Sequence, residues 1–175
     1  MSKTAIFYSP EGGNVNGVAN MLEEMIGEDK VDIIPVKEVV EDDLIKYNKI
    51  ILVGSTVGTD HWNNEIVVNE WPAFFTKITE VSFENKKVAI VGLGNSVLYP
   101  EHFVDGMADL YQRIKKQKAE IFGKVDGKDY DFTDSEAVDD DGFFCGLPID
   151  EDNEAELTVE RLKKWISILK SDFEF

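Results

Sequence analysis

The stretch FYSPEGGNVN, residues 7–16, leaves an apolar run, passes through a proline and two adjacent glycines, and enters a segment with helical spacing. A strand that turns into a helix over glycine is the building unit of open α/β sheets, and the turn commonly faces an anion. Upstream, TAIFY (4–8) is a short apolar run bounded by Ser9-Pro10, which predicts a strand buried on both faces. Downstream, VNGVANMLEEMI (15–26) sets Val15, Val18, Leu22, Met25 and Ile26 on one helical face, with Gly27 as the stop. For an anion site the loop is unusual. It carries a carboxylate, Glu11, and almost no hydroxyls.

The same alternation runs through the chain. VDIIPV (31–36) is a second short strand, and its Pro35 points to an edge position. EVVEDDLIKYN (38–48) offers a short helix, and IILVGS (50–55) is a continuous apolar run suited to a central strand. The next helix is predicted within NEIVVNEWPAFFTKI (64–78), with Pro72 near its first turns. KVAIVG (87–92) reads as another central strand, EHFVDGMADLYQRIKKQK (101–118) as a long amphipathic helix, and AEIFGKV (119–125) as a fifth strand. ELTVERLKKWISILK (156–170) places Leu157, Leu162, Trp165, Ile166 and Leu169 on one helical face. One segment, DGKDYDFTDSEAVDDDGFF (126–144), is acidic and too long for an ordinary connection; the strand pattern resumes at FCGLPI (144–149). Strands and helices in alternation predict a parallel sheet with right-handed crossovers, in a single domain spanning 1–175.

Charge and cysteine usage narrow the function. The chain has 35 acidic and 18 basic residues, a formal charge of -17. A field of that sign repels nucleic acid and anionic membranes and attracts basic protein surfaces; solubility alone is the plainer explanation. No stretch approaches the roughly 18 apolar residues of a membrane span, and no secretory segment precedes the first strand. The lone Cys145 excludes an intrachain disulfide framework. These features predict a cytoplasmic protein.

In an open sheet of this type the ligand sits beyond the carboxyl ends of the strands, at the switch point. The loops there are SPEGGNVN (9–16), STVGTDHWNN (55–64) and GLGNSVLYPEHF (92–103). Trp62 and Tyr99 lie on the second and third, beside the anion-type turn, an arrangement suited to a flat aromatic cofactor. Each ring has a plainer alternative, packing against the sheet edge. Gly92-Leu93-Gly94 begins like a dinucleotide fingerprint, but Val97 breaks it. His61 and His102 need no role beyond the surface. The run Val138-Asp139-Asp140-Asp141-Gly142 lacks the spacing of a calcium loop, so no metal site is expected. Cys145 sits in an apolar context and reads as an inert core thiol.

GLGNSVLYPEHFVDGMADLY (92–111), YDFTDSEAV (130–138) and GLPIDEDNEAELTVERLKKWISILK (146–170) together resemble the long-chain flavodoxins. The second of these resembles the insertion that separates long-chain from short-chain members. The resemblance implies a flavodoxin-like five-stranded parallel sheet, order 2-1-3-4-5, with helices on both faces and the fifth strand interrupted. It also implies a low-potential one-electron carrier on non-covalent FMN, with no substrate of its own and no catalytic residues. Its partners would be basic redox proteins such as a ferredoxin/flavodoxin-NADP reductase or a pyruvate oxidoreductase, and it would act as a monomer, without nucleic acid or membrane. FMN brings the redox chemistry, and the protein tunes it by stacking, hydrogen bonding and charge.

Carried over residue by residue, Tyr99 stacks on the flavin, while Gly92, Gly94 and Asn95 serve the loop at its pyrimidine edge. Where the family often has aspartate this chain has Asn95, whose amide can donate and accept. The opening loop departs from the family's threonine-rich motif: Pro10, Gly12 and Val15 stand where the threonines belong. Donors remain in Ser9 and in the amides of Glu11, Gly12, Gly13, Asn14 and Val15, and a helix N-terminus binds anions without hydroxyls. Glu11 itself is expected to point outward. The loop after the third strand departs as well, with Thr56 then Val57 where the family has threonine then tryptophan. Trp62 is the substitute ring from the longer loop, or Val57 and His61 cover that face. Gly58 is placed for the peptide flip by which the family contacts the reduced ring. Two other functions compete: a flavodoxin-fold binding module that has lost FMN, and an FMN-dependent enzyme of the quinone reductase type.

Overall fold

In the computed structural model, which describes residues 3–55 and 70–175, the apolar runs form the centre of one parallel sheet. The elements in chain order are β1 (Thr4–Ser9), α1 (Gly13–Ile26), β2 (Val31–Pro35), α2 (Glu41–Lys46), β3 (Lys49–Gly54), α3 (Trp71–Thr79), β4 (Lys87–Leu93), α4 (Asp105–Lys116), β5 (Glu120–Phe122), β6 (Val125–Asp126), β7 (Phe143–Phe144), β8 (Leu147–Ile149) and α5 (Ala155–Phe173). The sheet order is β2-β1-β3-β4-β5, with β8 also paired to β4. The doubly wound order expected from the resemblance is the one present. β2 lies at the edge, where Pro35 costs no ladder bond to an outer neighbour.

The fifth position is filled twice. β5 pairs with the first half of β4, Lys87↔Glu120 to Ala89↔Phe122. β8 pairs with the second half, Val91↔Leu147 to Leu93↔Ile149. Between them lies the insertion, as expected. The predicted fifth strand over 119–125 is nevertheless too long. Gly123 at φ 85° turns the chain out of the sheet after Phe122, and Val125–Asp126 pairs antiparallel with Phe143–Phe144 instead.

Every residue of β1 and β3 is buried, and alternate side chains enter two different cores. Phe7, Leu52 and Ile90 join Trp71, Phe74, Phe103, Met107 and Phe144 on one face. Ile6, Val53 and Val91 join Val18, Leu22, Leu162, Trp165 and Leu169 on the other. This is the pattern of a sheet covered on both sides. The insertion belongs to the first core: Tyr130 and Phe144 meet at ring centroids 5.3 Å apart, and the Tyr130 hydroxyl donates to Pro148 O at 3.1 Å. Cys145 is buried in the same core, its thiol pushed up to about 12 by desolvation, and so is held as the neutral thiol.

α4 is shorter than its predicted span of 101–118. The insertion holds residues 100–104 in a turn: Thr133 and Asp134 N–H groups donate to Pro100 O at 2.7 and 2.9 Å, and Phe103 N donates to Asp134 O at 3.3 Å. Helix then starts at Asp105. In the third helical segment Pro72 lies in the first turn of α3, where its missing N–H would be unpaired anyway.

Candidate functional site at the switch point

The chain leaves β1 toward β2 on one side and reaches β3 on the other, so the sheet order reverses beside β1. There the carboxyl ends of β1 and β4 open on a cavity of about 330 Å3. It is lined by Pro10, Gly12, Gly13, Asn14, Val15, Ser55, Leu93, Gly94, Asn95, Tyr99, Glu151 and Asp152. Of the residues expected at the site, the structure thus brings Gly12, Gly13, Asn14, Val15, Gly94, Asn95 and Tyr99 together. Thr56, Val57, Gly58 and Trp62, with His61, lie outside the described residues.

One end of the cavity is made of backbone. Gly12 at φ 77° and Gly13 at φ 64° carry the chain from β1 into α1, a path that side-chain-bearing residues rarely take. A Cβ at either position would meet nothing within 4 Å, so conformation rather than space calls for glycine. No side chain caps the N-terminus of α1, and its first turn holds no acidic residue. The opening amides of a helix without such a cap form an anion-binding end. The Gly12 amide is already committed, donating to Asn16 Oδ1 at 3.0 Å.

Three expected site residues face elsewhere. Ser9 is buried and its hydroxyl donates to Glu70 Oε2 at 3.0 Å, away from the turn. Glu11 does not line the cavity; its carboxylate is paired with Lys37 Nζ. Gly92 lies within β4 under α4, where a Cβ would stand 2.5 Å from Met107 Cβ. Its missing side chain admits α4 to the sheet, and it does not reach the cavity.

The other end is a polar brace. Asp150 is fully buried at the end of β8 and accepts from Ser96 N at 2.9 Å, Ser96 Oγ at 2.7 Å and Asn153 N at 3.1 Å. Burial alone would raise its pKa, but these donors outweigh it and hold the carboxyl below the usual range. Asp152 accepts from Asn95 Nδ2 at 3.0 Å and from Asn14 Nδ2 at 3.3 Å. It therefore links the loop after β4 to the first turn of α1 across the cavity. Asn95 Oδ1 accepts from Val97 N, Leu98 N and Asn153 Nδ2 at 3.2, 2.8 and 2.9 Å. Its amide thus shapes the loop, and the backbone there is partly committed as well: Gly94 N donates to Ile149 O and Asn95 O accepts from Tyr99 N, both at 3.0 Å. Tyr99 is 42% exposed at the rim, between the still more exposed Leu98 and the half-buried Pro100. His102 lies on the surface, with Nδ1 2.9 Å from Asp105 Oδ2.

Ser55, Leu93, Glu151 and Asp152 line the cavity without having been singled out from the sequence. For the two acids a signal existed. Asp150-Glu151-Asp152-Asn153 follows the last strand at its carboxyl end, and every such loop of this sheet faces the ligand side. Among the described residues no cluster of three or more His, Cys, Asp or Glu is placed to hold a metal, and no helix is long and apolar enough to cross a membrane.

A doubly wound sheet of this order, with a helix N-terminus facing an aromatic-bearing loop at the switch point, defines the flavodoxin-like class of proteins. Comparison with known sequences places the chain within that class. The flavodoxin family profile matches residues 6–165, and the chain belongs to the flavodoxin family. It is 34% identical over 171 residues to the flavodoxin of Synechocystis sp., covering 97% of each chain. It is 31% identical over 172 residues to flavodoxin 1 of Escherichia coli, covering 98% of this chain and 95% of that one. Among solved structures, the Fusobacterium nucleatum flavodoxin bound to flavin mononucleotide superimposes with a TM-score of 0.85 at 27% identity, covering 99% of both chains.

Proposed function

We infer that this chain is a one-electron carrier that holds FMN without a covalent bond and converts no substrate of its own. Family membership supports the reading, and one observation carries it to the site: the N-terminus of α1, which no side chain caps, faces Tyr99 across a cavity at the switch point. The donor set fits the cofactor. The amides of Gly13, Asn14 and Val15 would hold the phosphate, Tyr99 would cover the ring, and the backbone of Gly94 and Asn95 would meet its pyrimidine edge. Bound FMN supplies the redox chemistry, accepting and releasing single electrons. The protein's own part is to bind, orient and set the charge around it.

Thr56, Val57, Gly58 and Trp62 belong to the proposal as the opposite face of the site. Ser9 and Glu11 add no side-chain contact to it, since neither lines the cavity and both side chains are paired elsewhere. The partners that fit are basic redox proteins, a ferredoxin/flavodoxin-NADP reductase or a pyruvate oxidoreductase, meeting a monomeric single-domain protein in the cytoplasm. The acidic residues Glu151 and Asp152, which line the cavity, support that choice by charge complementarity.

The missing threonine hydroxyls favour looser binding than in threonine-bearing relatives, since each hydrogen bond to a charged group is worth about 1.5–3 kcal/mol. The test is the visible spectrum of the purified protein, followed by titration with FMN. Flavin absorption, or its recovery with one FMN per chain, is expected, and Tyr99→Ala should weaken binding by about 1–3 kcal/mol. A protein that stays colourless through the titration is the binding module that has lost FMN. Steady turnover of NAD(P)H with a quinone would make it an enzyme instead.

A further inference from the structure

The carboxylate in the anion loop has a counter-charge, and the sheet register supplies it. Tyr8 pairs with Pro35 across β1 and β2, so the chain segments leaving the two strands run side by side. Glu11 leaves the first and Lys37 the second, and the two side chains form an ion pair. Both are about half exposed, and such a pair adds little to folding stability. Its position gives it another consequence. Pro10 and Gly12 on either side of Glu11 line the cavity, yet Glu11 does not.

We propose that Lys37 is a specificity-determining residue for the anionic end of the site: it draws the Glu11 carboxylate away from the turn and cancels its charge, which lets a phosphate enter. Nothing in the anion loop itself supplies a cation. Glu70, which takes the Ser9 hydroxyl, and Glu38 add their fields to that of Glu11 at the lysine, so Lys37 faces three carboxylates around the loop. The Glu11 hydrogen bond, and then its charge and those of Glu70 and Glu38, raise the Lys37 pKa above its ordinary value and keep the ammonium charged. Released from Lys37, the Glu11 carboxylate would lie in a loop meant for a phosphate monoester, which carries close to two negative charges at neutral pH. Lys37 thereby separates FMN from riboflavin without touching either. The inference rests on the reading that residues 9–16 hold the FMN phosphate.

The experiment compares FMN and riboflavin affinities, by quenching of flavin fluorescence at low ionic strength, in the wild type, Lys37→Ala, Glu11→Gln and the double variant. Lys37→Ala should weaken FMN about tenfold, the size expected for one carboxylate against a phosphate a few ångströms away at a dielectric near that of water. Riboflavin affinity should stay within about twofold, because it lacks the charge. Adding Glu11→Gln to Lys37→Ala should restore FMN binding to near the wild-type value, and high salt should shrink the deficit of the single variant. FMN affinity unchanged by Lys37→Ala overturns the proposal. So does a double variant as weak as Lys37→Ala, which would mean that the lysine contacts the phosphate itself. Wild-type protein that binds riboflavin as tightly as FMN would instead remove the phosphate reading on which the proposal stands.

Discussion

Asp150 is the buried charge on which the ligand-side loops depend. It accepts from Ser96 and Asn153 with no exposure to solvent, and its pKa is held below the ordinary 3.8. A carboxylate with a depressed folded-state pKa stabilises the fold fully above its unfolded pKa, and that contribution is lost as pH falls through the folded one. The window therefore opens near pH 3.8 and extends downward. Asp150→Asn keeps the shape but not the charge, and should cost about 2–4 kcal/mol at neutral pH, the loss of several charge-assisted hydrogen bonds. Urea unfolding at pH 7 and again below pH 3.8 checks this: the gap between variant and wild type should narrow in acid. An equal gap at both pH values would mean that packing, not charge, is what Asp150 supplies.

Between β5 and the insertion the backbone turns on Gly123, whose carbonyl accepts from Trp165 Nε1 at 2.8 Å. A Cβ there would stand 2.6 Å from that same nitrogen, at a φ of 85° that alanine rarely takes. Gly123→Ala should destabilise the protein by about 2–3 kcal/mol through strain and the displaced indole. A shift of the urea midpoint with unchanged flavin affinity is the expected pair of readouts, since this turn lies away from the cavity. The glycine also explains a limit of the sequence reading. In AEIFGKV, Ile121, Phe122 and Val125 carry strand propensity, and a lone glycine among them does not by itself say that residue 123 takes a left-handed conformation. The central strands were legible because double-sided burial makes them continuous apolar runs. Gly12, Gly13 and Tyr99 were legible because turn geometry and an aromatic in a glycine-rich loop are local signals. The Asn14–Asp152 and Asn95–Asp152 contacts were not, for they join residues 138 and 57 positions apart, and pairing of that kind is set by tertiary packing. Likewise the pairings of Ser9 and Glu11 were not legible, because their partners Glu70 and Lys37 come from other parts of the chain.

The whole molecule carries a charge of -17, and the cavity proposed for the cofactor is lined in part by Glu151 and Asp152. Adding an electron inside such a field is disfavoured, by about 1 kcal/mol for each nearby carboxylate at an effective dielectric near 20. About 1.4 kcal/mol corresponds to 59 mV for a one-electron couple. The more negative of the two one-electron potentials should therefore rise with ionic strength, and the association rate with a basic reductase should fall. Potentiometry and stopped-flow mixing across a salt series measure both. If neither moves, the acidity serves solubility alone.

The division of the fifth sheet position between β5 and β8 bears on when the molecule becomes itself. Synthesis delivers β1 to β4 before β5 and β8. Until Leu147–Ile149 has been made, however, the second half of β4 has no outer neighbour, and Asp150, Asp152 and Asn153 do not yet exist. Asn14 of the anion turn is thus made 138 residues before Asp152, one of the acids that tie it to the loop after β4. A nascent chain can have most of its sheet and still lack a finished cavity, so any ligand of that cavity waits until Glu151 and Asp152 have been made.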